Sequence, residues 1–171
     1  MQESDLISGG IKGAITDPYS EEGLTHARLY YEEIRKFSTD CEKIASNTEF
    51  SYDQILMVKN YLFIHIHNLD GELKQFDPCF EIAESWRRLA FDKKNIQLHD
   101  ILLIRHELKE MELVSKGYSQ SEAHTITASL YNYAQASEEF YLKLMDGEKI
   151  HPDSHINSGG IQHSIHSCCT H

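Results

Sequence analysis

His106-Glu107-Leu108-Lys109-Glu110 sets an imidazole and a carboxylate four residues apart, with a second carboxylate directly after the first residue. On a helix, residues i and i+4 share a face. The spacing is that of the HExxH pattern, in which two side chains hold zinc and the intervening Glu activates a water. Here Glu110 stands where the second histidine would. A carboxylate also binds zinc, and a metal that prefers oxygen ligands, such as manganese, would favour it further. The expected cofactor is therefore a divalent metal, zinc or manganese. His106 and Glu110 would be ligands, His99 or His124 would complete the set, and Glu107 would be the general base. The competing expectation is a structural polar network, in which these groups pair with partners from neighbouring helices.

The segment carrying these residues, Leu98 to Val114, reads as a helix with a solvated side formed by Arg105, Lys109 and Glu112. At about 100° per residue, His106 and Glu110 fall on roughly the opposite side, flanked by Leu103, Leu113 and Val114. Glu107 lies between Leu103 and Met111, and His99, Leu103, His106 and Glu110 form one stripe. Ionisable groups that face a core are rare unless paired, hydrogen-bonded or metal-bound. The pattern thus names a site more clearly than a reaction.

Further candidates surround it. His99-Asp100 is similar to the paired ligands of HD-type metal-dependent phosphohydrolases, for which His65, His67 and Asp70 would have to supply additional ligands. Alternatively Asp100 is a helix N-cap. In His65-Ile66-His67 consecutive helical positions diverge, so at most one imidazole faces the site, and a histidine at a helix C-terminus is favourable without any such role. His67, Asp100 and Trp86 are the candidate substrate-binding residues. Trp86, with Phe80 and Leu89 at helical spacing, also fits a core position. His124 reaches the His106 level if its helix folds back antiparallel after Gly117; a solvated helix histidine is the alternative.

The elements that must position these groups are all helical. Helices are expected over about 20–37, from a Thr39/Glu42 capping box, and from a Ser51/Gln54 capping box through Ile55, Val58, Leu62, Phe63 and Ile66. Asp77-Pro78 reads as N-cap and first position of the next helix, which Lys93-Lys94-Asn95 ends. Gly117 suits the end of the His106 helix, and Ser119/Glu122 caps another helix through Ala123, Ile126 and Leu130. Tyr131-Asn132-Tyr133 interrupts the pattern before a last helix. A two-stranded ribbon near 68–76 is the most β-structure the pattern allows. The fold class is all-α, a bundle of five to seven helices over 19–146, preceded by a Gly-containing leader or docking segment (1–18). It is followed by a flexible tail (147–171) with five histidines and the adjacent Cys168 and Cys169.

With 171 residues the chain can bury a real core. The 27 acidic against 16 basic residues give a net charge of −11, which repels phosphate backbones and disfavours nucleic acid as a partner. No apolar run approaches the ~20 residues needed to span a bilayer, and the N-terminus lacks the basic and apolar regions of a secretory signal. Cysteine spacing suggests neither a disulfide framework nor a metal ribbon. A reducing cytoplasm is the expected compartment, and a protein or small-molecule ligand, with homo-oligomers allowed, the expected partner.

Taken together, SGGIKGAITDP, HARLYYEEIRK, VKNYLFIHIH, FDPCFEIAESWRRL, HDILLIRHELKEMELVSKG and SQSEAHTITASLYNY give residues 8 to 144 a family likeness. The stretch resembles a small helical domain found at the C-termini of phage minor head (head-morphogenesis) proteins and of some secreted polymorphic-toxin-like proteins. The matching features are Trp86, His99-Asp100, His106-Glu107 with Glu110, and Glu122 with His124. The resemblance implies a phage or mobile-element origin and a toxin or effector activity, with no settled reaction. The chain departs from the pattern by standing without a head-protein or secretion module and by its His/Cys tail, which weakens the expectation of a structural role in the virion.

Overall fold

A computed structural model describes residues 15–147. Residues 7–14 of the ISGGIKGAI segment, the tail histidines and the Cys168-Cys169 pair lie outside them. Among the described residues there are seven α-helices: α1 (Glu21–Lys36), α2 (Asp40–Asn47), α3 (Tyr52–Lys59), α4 (Phe80–Phe91), α5 (Leu98–Ser115), α6 (Gln120–Leu130) and α7 (Tyr133–Met145). The only sheet among them is a ribbon of β1 (His67–Leu69) and β2 (Glu72–Lys74), antiparallel with Asn68 opposite Leu73. Its turn is Asp70-Gly71, both at positive φ (53° and 88°), as a tight hairpin requires. The fold is all-α. None of its helices is long and apolar enough to cross a membrane.

Local chemistry sets most boundaries. Ser20 accepts a hydrogen bond from the Gly23 amide and opens α1. Reciprocal capping boxes open α3 (Ser51 with Gln54) and α6 (Ser119 with Glu122). Gly117, at φ 98°, ends α5 where a side chain would be strained.

Three expected helix starts differ. Thr39 precedes α2 but makes no side-chain cap bond. Asp77-Pro78 does not begin α4; the buried, extended Cys79 is its N-cap, and the Cys79 carbonyl accepts from Ala83 N at 3.0 Å. Asp100 is not the N-cap of α5 but its third residue, where its carboxylate reaches back to the Gln97 amide at 2.8 Å.

The core lies around α4 and α5. The former packs against α1, α2 and α5, the latter against α3, α4, α6 and α7. Phe63, Trp86, Leu89, Leu103 and Ile104 are fully buried at its centre. Val114 and Leu130, expected on apolar helix faces, are exposed. In α1 the inward positions are taken by Gly23, Ala27, Tyr30, Tyr31 and Ile34.

After Lys59 the helix widens into one π-helical turn, Asn60–Ile64, closed by the His65 amide donating to Asn60 O five residues back at 2.8 Å. The turn ends the third helical segment before Ile66, which is exposed.

Candidate metal centre

α5 presents His106, Glu107 and Glu110 on its buried side, each 5 % exposed or less. α6 folds back along α5 after the Gly117 turn and brings His124 against them. One nitrogen of each imidazole and one Glu110 oxygen lie within 4.8 Å of one another. The shorter approaches are 2.9 Å from His124 Nδ1 to Glu110 Oε2 and 3.3 Å from His106 Nε2 to the same oxygen. Around an ion with bonds of 2.0–2.1 Å, the edge of a tetrahedron is about 3.3 Å.

The surroundings orient these groups. His106 Nδ1 lies 2.8 Å from the Tyr131 carbonyl, in the break between α6 and α7. A carbonyl only accepts, so Nδ1 carries the proton, and in the neutral imidazole the Nε2 lone pair faces Glu110. That is the arrangement by which metal-binding histidines are fixed in one tautomer. Two acceptors 3.3 Å apart need a proton or a cation between them. Glu110 Oε1, on the other side of the carboxylate, accepts from Tyr61 Oη at 2.7 Å and from the Gln120 amide; Gln120 also reaches Tyr61 Oη at 2.6 Å. Burial first, and Glu110 next, raise the Tyr61 phenol far above its ordinary range, so it stays a donor.

Beside the cluster is a cavity of about 20 Å³, room for a single water or ion. His106, Glu107, His124, Ile82, Ala128 and Tyr133 are in its wall. Glu107 Oε2 is buried and has no hydrogen-bond partner among the described residues. Burial, then the neighbouring Glu110, push the Glu107 carboxyl well above the usual carboxylate range. The shift favours the neutral carboxyl, and a divalent cation close by would favour release of its proton.

The other sequence candidates lie elsewhere. His99 is not part of the cluster. Its Nε2 accepts from Arg88 Nη2 at 3.0 Å and is thereby occupied, and its ring packs on Phe140 and Tyr141. Burial, opposed by Asp100 and aided by Arg88, pushes His99 down to about 4, so its 3.3 Å approach to Asp100 is no ion pair near neutral pH. Asp100 is fully buried and grips Arg88 through two bonds of 2.8 Å, which leaves it no role towards a substrate. Trp86 is 0 % exposed and donates its indole N–H to Asp40 at 2.9 Å; it is core, not a platform. His67 stacks on Phe76 at 3.9 Å, and its Nε2 lies 2.8 Å from the Tyr61 carbonyl, one residue removed from the cluster. His65 and the exposed Asp70 are not in the cluster either. Burial, with Asp40 beside it, pushes the Cys41 thiol up to about 11, which removes it as a nucleophile.

Tyr61, Gln120 and the Tyr131 carbonyl complete the site without having been singled out in the sequence. Gln120 and His124 are four apart on one helix, a signal that was legible. Tyr61 carries none, because its aim depends on the π turn. Comparison with protein-family models, curated proteins and solved structures finds no match for the chain.

Proposed function

We propose that the chain is a metal-dependent hydrolase-like domain of phage or toxin/effector type, with a divalent metal held by His106, Glu110 and His124. The observation that carries the metal is the convergence of two imidazoles and one carboxylate within 4.8 Å, buried against a cavity. Arginine and lysine hold two of the other buried carboxylates, Asp100 and Asp40; at Glu110 imidazoles take that place. Fixing of His106 through the Tyr131 carbonyl supports the same assignment. A divalent ion bound there would polarise a substrate oxygen and lower the pKa of a coordinated water towards neutrality. Glu107, with its Oε2 buried and unpartnered and its side chain in the cavity wall, is the group to take up and return a proton. The phage or effector setting rests on the resemblance of residues 8–144 alone.

A second reading has its own observation. Glu110 already accepts from Tyr61, Gln120 and His124, the saturation expected of a polar network that fixes α5, α6 and the π turn in register. The chain would then be a non-catalytic helical module binding a protein or small ligand.

Metal analysis of the full chain and of His106→Ala separates the two. Both keep the tail histidines, so the difference counts the core site alone. One ion fewer per chain in the variant is the expected result, and justifies a screen of peptide, phosphodiester and small ester substrates. Equal metal content after incubation with zinc or manganese sinks the metalloenzyme.

A further inference from the structure

The way Glu110 is held says what kind of ion the site takes, granted that it takes one. A carboxylate can bind through one oxygen or two, and the difference decides coordination number. Calcium takes six to eight oxygens, often with a bidentate carboxylate, and magnesium an octahedral oxygen set. Here Oε1 is engaged from behind by the Tyr61 hydroxyl at 2.7 Å and by the Gln120 amide, while Oε2 alone faces the two imidazoles. Tyr61 is brought there by the π turn; its ring packs edge-on against the stacked His67–Phe76 pair at centroid distances of 4.8 and 5.6 Å. The Tyr61 side chain is 7 % exposed, so it cannot swing away without opening the core.

We infer that Tyr61, held by the π turn, restricts Glu110 to one-oxygen binding and so makes the site a four-coordinate zinc centre with His106, His124 and one open position. This rests on the metal reading above and narrows it from zinc or manganese to zinc. Two of the three edges, 2.9 and 3.3 Å to Glu110 Oε2, lie near the tetrahedral value, and the third, between the two imidazole nitrogens, is within 4.8 Å. The set of two nitrogens and one oxygen is too small and too nitrogen-rich for an octahedral oxygen-preferring ion. Both imidazoles line the cavity of about 20 Å³, a volume suited to a single water beside the ion. Three protein ligands and one exchangeable position are what distinguish a reactive zinc site from a structural one. Tyr61 is thus a positioning residue, acting through Glu110.

Cobalt(II) reports coordination number through its visible spectrum, since four-coordinate cobalt absorbs strongly and six-coordinate cobalt weakly. The full chain, His106→Ala and Tyr61→Phe are each titrated with cobalt(II), then with zinc and manganese in competition. The wild type minus His106→Ala spectrum should show the strong four-coordinate bands, and zinc, not manganese, should abolish them. Tyr61→Phe should weaken the bands as Glu110 becomes free to chelate, and lower cobalt affinity by roughly 10–100-fold, the usual effect of removing a residue that orients a ligand. Gln120→Met serves as a second variant should Tyr61→Phe fail to give a native far-UV dichroism spectrum, and should change the bands in the same direction. Weak six-coordinate bands in the difference spectrum would overturn the inference while leaving the metal site standing. So would Tyr61→Phe and Gln120→Met spectra identical to wild type. No difference between wild type and His106→Ala overturns the metal reading itself.

Discussion

His99 offers a prediction whose size follows from its surroundings. It is 4 % exposed, accepts from Arg88 and is ringed by Tyr133, Phe140 and Tyr141, a setting in which an imidazolium is poorly accommodated. Its pKa falls from the ordinary 6.5 to about 4, chiefly through burial. In the unfolded chain it titrates normally. Below pH 6.5 the unfolded state therefore binds a proton that the folded state refuses, and stability falls with pH until about pH 4, where both forms are protonated. The contribution is fully present at pH 7 and lost on acidification. Two and a half pH units correspond to about 3 kcal/mol in all, of which about 2.5 kcal/mol is gone by pH 4.5. That is a large share of the ~5–15 kcal/mol that holds a typical domain together. Urea unfolding of wild type and His99→Gln at pH 7, 6, 5 and 4.5 isolates the effect, because Gln can still accept from Arg88 but cannot titrate. The wild type should lose about 2.5 kcal/mol more than the variant over this range. A difference that stays within about 0.5 kcal/mol, the usual limit of additivity, refutes the placement of His99 as a buried neutral acceptor.

Two other outcomes bear on neighbouring groups. Asp100→Ala strands the Arg88 guanidinium in the core and should cost roughly 3–5 kcal/mol in urea unfolding, whereas the double replacement Arg88→Met with Asp100→Leu should cost clearly less; equal losses would show that the pair is not the cause. Glu107→Gln keeps a neutral side chain of the same shape and should change stability at pH 7 by no more than about 1 kcal/mol; a loss above about 3 kcal/mol would mean that Glu107 is ionised and paired there.

What the sequence made legible was chiefly periodic and local. Capping boxes at Ser51 and Ser119, the left-handed Gly117 and the apolar spacing of α4 and α5 all depend on residues a few positions apart, and they place the helices correctly. The inward aim of His106, Glu107 and Glu110 follows from the same periodicity. The position of Asp100 was ambiguous because a carboxylate serves a helix start equally well at the N-cap or three residues later as a capping-box partner. His99 lies on the expected stripe but faces α4 and α7, since two groups on one helix face separated by two turns, about 10 Å, meet different neighbours. The fates of Val114 and Leu130 were set by which helix packs alongside, and one helix's period carries no such information. Tyr61 was hidden for a sharper reason: a π turn shifts the register by one residue, so an α-helical wheel drawn through 52–66 aims it wrongly.

Three of the buried carboxylates, Asp40, Asp100 and Glu110, allow comparison within one molecule. Asp40 holds Lys59 at 2.8 Å and the Trp86 indole at 2.9 Å, with the ammonium also bonded to the Phe37 carbonyl. Asp100 holds Arg88 through both oxygens and the Gln97 amide. In each, a permanently charged cation satisfies the carboxylate. Such pairs fix helices against one another at small net gain in stability. Glu110 is buried just as deeply, yet it faces two imidazoles, whose charge depends on a proton and which also bind metals in their neutral form. A network needed only for register would be served as well by lysine or arginine, as the other two are. Choosing histidine twice, fixing one of them through a backbone carbonyl, and placing Glu107 with an unpartnered oxygen beside a water-sized cavity together favour an exchangeable cation over a permanent one.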